Sequence, residues 1–126
     1  MKRSILVVDD EVVICELIKD YLESLDFEVH TAYNGVDGLA EAARLHPDLI
    51  LSDLVMGKMS GGKMAAEMQS NPALSSIPII YMTGIVTHDE ASRTENQLAG
   101  NRILAKPFTR DELVHMIEHV LGLRDV

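Results

Sequence analysis

The chain has 126 residues, 47% of them hydrophobic, and a formal net charge of −9 from 20 acidic and 11 basic side chains. That is one domain's length, with apolar content enough for one sizeable core. The acidic balance argues against a nucleic-acid or anionic-membrane partner, since phosphate is held by Lys and Arg.

Ile5 to Val8 is short, β-branched and apolar on both sides, as a strand covered by helices on each face must be. It is too short for the apolar core of a signal peptide, and Asp9-Asp10-Glu11 cuts it off. Glu11 to Leu25 shows helical spacing, with Val13, Leu17, Ile18 and Leu22 as its expected core face. Phe27 to Thr31 is a weaker second strand. Asn34 is the expected N-cap of a second helix, which holds Val36, Leu39, Ala40 and Ala43 and stops before Pro47. Asp48 to Ser52 is the third strand. Gly61 and Gly62 lead into a third helix through Met64 and Met68 that ends near Asn71-Pro72. Ile77 to Met82 is the fourth strand. Thr87 and Glu90 match a capping box and open a fourth, mostly polar helix ending near Gly100. With few apolar anchors, it is expected to be the least firmly held element. Asn101 to Ala105 is the fifth strand. Thr109 and Glu112 form a second capping box ahead of a last helix with Leu113, Ile117, Val120 and Leu121.

Five alternations of strand and helix predict an α/β domain, with right-handed crossovers and helices on both faces of a parallel sheet. The expected architecture is a (βα)5 flavodoxin-like three-layer sandwich of strand order 2-1-3-4-5. One domain is expected over residues 1–126, with no linker and no second domain. No stretch approaches the ~18–20 apolar residues of a membrane helix. The lone Cys15 fits a reducing compartment. The expected location is cytoplasmic, with no membrane contact.

Asp9 and Asp10 follow the first strand, Asp53 the third, Thr83 the fourth and Lys106 the fifth. In a parallel sheet those ends share one edge, where ligands bind. Three carboxylates, a hydroxyl and an ammonium gathered there suit a hard cation and a phosphoryl group. Singly, each residue is as well explained as a cap, a turn residue or a solvated charge; the set carries the reading. His115 and His119, one helical turn apart, have a spacing that could share a metal. No carboxylate-rich or thiol motif joins them, so they read as exposed side chains. Cys15, with no basic neighbour in sequence, reads as a small buried helix residue.

Taken in order, Asp9-Asp10, Asp53-Leu54-Val55-Met56, Gly61 eight positions after Asp53, Thr83-Gly84 and Lys106-Pro107-Phe108 resemble the receiver domains of bacterial two-component response regulators. The resemblance covers essentially the whole chain. It implies that Asp53 is the phosphoacceptor. It implies that Asp10, Asp53 and the backbone carbonyl of Val55 ligate Mg2+, with Asp9 acting through bound water. Thr83 would hydrogen-bond the phosphoryl group and Lys106 would pair with it. It further implies a cis peptide at Lys106-Pro107 and a phosphohistidine donor on a histidine kinase or histidine phosphotransfer protein. Such a chain is no enzyme beyond its own phosphoryl transfer and slow autodephosphorylation. The chemistry agrees. Mg2+ takes hard oxygen ligands and keeps waters, aspartate is an established phosphoryl-accepting nucleophile, and transfer needs in-line positioning and neutralised oxygen charge.

Three features depart from the family pattern. Gly57 stands where proline is common, which frees the loop after Asp53. Ile103 stands where an aromatic often swings inward on activation, so output is expected to run through Thr83, the loop after it and the fourth helix. Val55 and Ile85, at the positions flanking attacking water, are apolar and branched, and slow loss of the phosphoryl group is expected.

The leading reading is a stand-alone phosphorylation-controlled binding module. It passes its message to a separate protein in trans through the fourth helix, fifth strand and fifth helix. Arg93, Gln97 and His115 are the exposed candidates there. The alternative is a phosphorylation-independent interaction module with a receiver fold, prompted by Ile103 and Gly57. A hydrolase using Asp53 as nucleophile ranks last, for want of a substrate pocket or a second general acid.

Overall fold

Ile5, Leu6, Val7 and Val8 are all fully buried, yet they belong to two different cores. Successive side chains of a strand point to opposite faces, so an unbroken apolar run demands cover on both. The computed structural model, which describes residues 2–54, 56, 59–84, 97–98 and 101–123, supplies that cover. The strands are β1 (Ser4–Val8), β2 (Glu28–Ala32), β3 (Leu49–Asp53), β4 (Ile79–Thr83), β5 (Gln97–Leu98) and β6 (Asn101–Ala105). The helices among the described residues are α1 (Val12–Ser24), α2 (Gly35–Leu45), α3 (Gly61–Gln69) and α4 (Arg110–Leu121).

The sheet order is β2-β1-β3-β4-β6-β5. The first four strands and β6 are all parallel. They reproduce the expected flavodoxin-like 2-1-3-4-5 order, with β6 in the fifth place. The short β5 is an addition, pairing antiparallel with β6 through Gln97↔Arg102 and Leu98↔Asn101. Gln97, expected on the fourth helix, is therefore on an edge strand. Gln97 and Leu98, both expected within the helix ending near Gly100, go into the sheet instead. Val55, Gly57, Ile85, the Thr87–Glu90 capping box and Arg93 lie outside the described residues.

α1 and α4 cover the face that carries Ile5, Val7, Leu49, Leu51, Ile80 and Met82. α2 and α3 cover the face with Leu6, Val8, Ile50, Tyr81 and Ile103. Each fully buried Leu, Ile or Met contributes roughly 1.5–3 kcal/mol of transfer free energy. The buried stripe of α1 is Cys15, Ile18 and Leu22. Val13 and Leu17, expected inside, are 67% and 61% exposed. The stretch from Val12 to Ile18 holds more apolar residues than one helical face can bury. α2 is turned likewise: Gly35, Gly38 and Ala42 are buried, while Val36, Ala40 and Ala43 face outward. Gly38 explains the turn. A Cβ there would lie 2.9 Å from Met64 Sδ and 3.0 Å from both Val8 methyls, so the bare backbone lets α2 settle against β1.

The caps follow the sequence. Asn34 accepts a hydrogen bond from the Asp37 amide at 2.9 Å. Thr109 and Glu112 form the expected reciprocal box, with bonds of 2.8 and 3.0 Å. α1 has no such side chain at its own N-cap, Glu11. The Asp9 carboxylate takes the Glu11 amide instead, at 2.9 Å.

Candidate functional site

The parallel ladders carry each polar residue to the same edge of the sheet. Val8 pairs with Ser52, Asp53 with Met82, and Thr83 with Ala105. Asp9 and Asp10 leave β1, Asp53 ends β3, Thr83 ends β4 and Lys106 follows β6. Carboxylate oxygens of Asp9, Asp10 and Asp53 lie within 4.8 Å of one another. Lys106 Nζ donates to Asp9 Oδ2 at 3.0 Å and lies 3.7 Å from Asp53 Oδ2. Thr83 is buried, and its carbonyl accepts the Lys106 amide at 2.8 Å. The Lys106-Pro107 peptide is cis. The structure thus brings Asp9, Asp10, Asp53, Thr83 and Lys106 to one place; Val55 lies outside the described residues.

Asp9 is completely buried while Asp10 is exposed. Both Asp9 oxygens are engaged, one by the Glu11 amide and one by Lys106. Burial works to lower the Lys106 pKa, but the hydrogen bond to Asp9 and the charges of Asp9 and Asp53 outweigh it, so the net shift is upward. The ammonium is therefore fixed as a cation. Three carboxylates against one ammonium leave net negative charge, which a divalent ion relieves. All-oxygen donors with one exposed member fit Mg2+, which keeps part of its water shell. Beneath the cluster, burial and the Asp9 charge push the Cys15 thiol up to about 11. Its Sγ donates to the Asp9 carbonyl at 3.3 Å.

Beside the carboxylates runs a groove of about 560 Å3 between α1, the Lys106–Phe108 segment and the start of α4. Ile14, Leu17, Pro107 and Phe108 form its walls, Ile18 and Leu113 its floor. Lys106 marks the end toward the cluster. Arg110 lines it as well and lies over the Tyr21 ring, 4.9 Å from the centroid. The sequence reading did not find this groove, because it placed Leu17 in the core. The surplus of apolar residues in the first turns of α1 was the available signal. His119, read with His115 as an exposed side chain, has its Nε2 3.1 Å from the Arg102 guanidinium, a cation beside which a second cation is unfavourable.

Residues 5–118 match the family model described as response regulator receiver domain. The probable transcriptional regulator ycf29 of Pyropia yezoensis is 33% identical over 127 residues, which covers 100% of this chain and 56% of that protein. Protein PilG of Pseudomonas aeruginosa is 29% identical over 115 residues, covering 90% of this chain and 84% of PilG. The chemotaxis protein CheY4 of Vibrio cholerae superposes with a TM-score of 0.82 at 25% identity, covering 95% of this chain and 99% of that one. The chain spans about half the length of several curated relatives it matches. None of the described helices is long and apolar enough to cross a membrane.

Proposed function

This chain belongs to the response regulator receiver family of two-component systems, and we propose that Asp53 is the residue at which it takes its phosphoryl group. Receivers are phosphoacceptor signalling switches rather than enzymes that turn over a substrate. The observation that carries the assignment is the meeting of Asp9, Asp10, Asp53 and Lys106 at one sheet edge.

Asp10 and Asp53 would hold Mg2+, joined by the Val55 carbonyl, and Asp9, whose oxygens are already taken, would act through water. Bound there, the ion would supply neutralisation of phosphoryl-oxygen charge. An Asp53 oxygen attacks the phosphorus of a phosphohistidine. The O–P bond forms as the N–P bond breaks, and the imidazole departs with its electron pair and takes up a proton. Lys106 turns from Asp9 toward the new phosphoryl oxygens, and the Thr83 hydroxyl donates to them. The slow hydrolysis that later clears Asp53 is the only turnover assigned to the chain.

The donor is a histidine kinase or histidine phosphotransfer protein. Its apolar helical surface seats in the groove that Lys106 lines, and Lys106 Nζ lies 3.7 Å from Asp53. Modification biases the surface formed by the segment after Thr83, β6 and α4, which a downstream protein reads. His115 is exposed on that surface. A cytoplasmic location suits such a donor. No direct contact with nucleic acid is assigned, on the strength of the −9 net charge. Some relatives are named as transcriptional regulators, so this assignment concerns the present chain alone.

Intact-mass analysis with Mg2+ and acetyl phosphate tests the proposal. The parent gains one phosphoryl group and Asp53→Asn gains none; a gain in the variant equal to the parent's refutes the assignment. One observation favours the second reading, a phosphorylation-independent binding module. Ile103 is buried and registers against Tyr81 on β4, so no aromatic rotamer at that position reports the modification. Partner binding left unchanged in Asp53→Ala would select it.

A further inference from the structure

Ser52 is the one polar residue in β3 before Asp53, following Leu49, Ile50 and Leu51. It is fully buried. A hydroxyl in such a place is costly unless it makes a hydrogen bond, and its bond is to the next residue: Ser52 Oγ donates to the Asp53 backbone carbonyl at 2.9 Å. The β1–β3 register ends at Val8 opposite Ser52, so Asp53 lies one residue past the paired stretch. On the β4 side Asp53 still pairs with Met82; its carbonyl is held by the Ser52 side chain at the point where the β1 ladder stops.

The start of α3 closes over the same carbonyl. A Cβ on Gly61 would lie 2.2 Å from the Asp53 oxygen and 3.0 Å from Ser52 Oγ. Only a glycine backbone can come that close without displacing them. The Gly61 amide donates to the Leu54 carbonyl at 3.0 Å, and the Leu54 amide to the Met82 carbonyl at 3.3 Å. Three hydrogen bonds thus fix the two peptide groups that follow the Asp53 Cα, and through them the direction of the Asp53 carboxylate toward Asp10 and Lys106.

We propose that Ser52 is a positioning residue for phosphoryl transfer: its hydroxyl, in the space Gly61 leaves open, aims the Asp53 carboxylate by holding the Asp53 carbonyl. The assignment rests on Asp53 being the phosphoacceptor. Without the hydroxyl, the carbonyl under Gly61 loses a donor, the Asp53–Leu54 peptide turns, and the nucleophile leaves its line of attack.

The test uses the full chain with saturating Mg2+ and acetyl phosphate. The single-turnover rate of phosphorylation is read by intact mass, and thermal unfolding is followed in the same buffer. Ser52→Ala and Ser52→Cys are expected to slow transfer about tenfold to a hundredfold, the usual penalty for a misplaced reacting group, while Ser52→Thr, which keeps the hydroxyl, stays within about threefold of the parent. Ser52→Cys replaces a single atom and decides the matter if Ser52→Ala fails to fold. Folded Ser52→Ala or Ser52→Cys transferring at the parent's rate overturns the proposal, as does Ser52→Thr being as slow as Ser52→Ala. A parent that takes no phosphoryl group overturns the phosphoacceptor assignment instead, so the two failures are distinct.

Discussion

Replacing Lys106 with methionine keeps most of the apolar stem and removes the ammonium. Lys106 Nζ lies 3.0 Å from an Asp9 oxygen that is completely buried, and 3.7 Å from Asp53. At an effective dielectric near 20, Coulomb attraction at such separations is about 5 kcal/mol per pair. Desolvation offsets part of it: Lys106 keeps 22% of its side-chain surface exposed, Asp53 13% and Asp9 none. Breaking a largely buried pair by removing one partner costs roughly 3 kcal/mol, because the other charge is left uncompensated. In a domain of this size that lowers Tm by about 10 °C. Circular dichroism melts with EDTA and with millimolar Mg2+ provide the assay. Lys106→Met is expected to melt lower in EDTA and to gain more from Mg2+ than the parent, since the ion takes over the neutralising role. A Tm within about 2 °C of the parent's in EDTA would refute the reasoning. So would a smaller Mg2+ gain. The pH dependence has a definite sign. The folded-state pKa of Lys106 is raised above 10.5, so its stabilisation is complete below that value and lost as pH rises past the folded value. Lys106→Met should lack this alkaline decline.

Leu17→Asp, on a side chain 61% exposed, should leave Tm nearly unchanged. It should cut transfer from a histidine-phosphorylated partner about tenfold while acetyl phosphate still works, and equal loss with both donors would remove the groove from donor docking. Cys15, raised to about 11, should react with iodoacetamide near pH 8 about a hundredfold more slowly in the folded chain than in denaturant; equal rates would contradict its burial. Its raised pKa also predicts stability lost as pH climbs from 9.0 toward 11, a loss that Cys15→Ala should abolish. Val55→Asn, at the position that the family resemblance sets along the path of attacking water, should shorten the lifetime of phosphorylated Asp53 in a timed phosphate-release assay. An unchanged lifetime would discard the shielding role of Val55.

β1, β3 and β4 were legible because each is a short apolar run buried on both faces, a pattern helices rarely show, whereas β2, with Glu28 exposed and His30 and Thr31 half-buried, gave the weaker signal. The site was legible for a related reason. Asp9, Asp53, Thr83 and Lys106 each break such a run at its end, and parallel topology turns four separate breaks into one edge. Helix faces were harder to read. In α1 and α2, apolar residues exceed what one face can bury, and periodicity alone could not choose Cys15 over Val13 or Gly38 over Val36. Contact decided it, through the close approach that Gly38 allows with Val8 and Met64. Gln97 and Leu98 were taken for helix because a two-residue antiparallel strand has too few positions to show an alternation. Ser52 was hidden by its neighbours: a serine ahead of an aspartate reads as strand filler until its hydroxyl is seen on the Asp53 carbonyl.

One carboxylate, Asp9, joins groups that sit far apart along the chain. It grips the opening amide of the first helix with one oxygen and, with the other, an ammonium 97 residues away. Were Lys106 to leave Asp9 for a phosphoryl group on Asp53, that helix would keep its anchor but the anchor would lose its counterweight. A charge change at Asp53 would thus be felt at the N-terminal end of α1 through Asp9, without contact between that helix and the phosphoryl group.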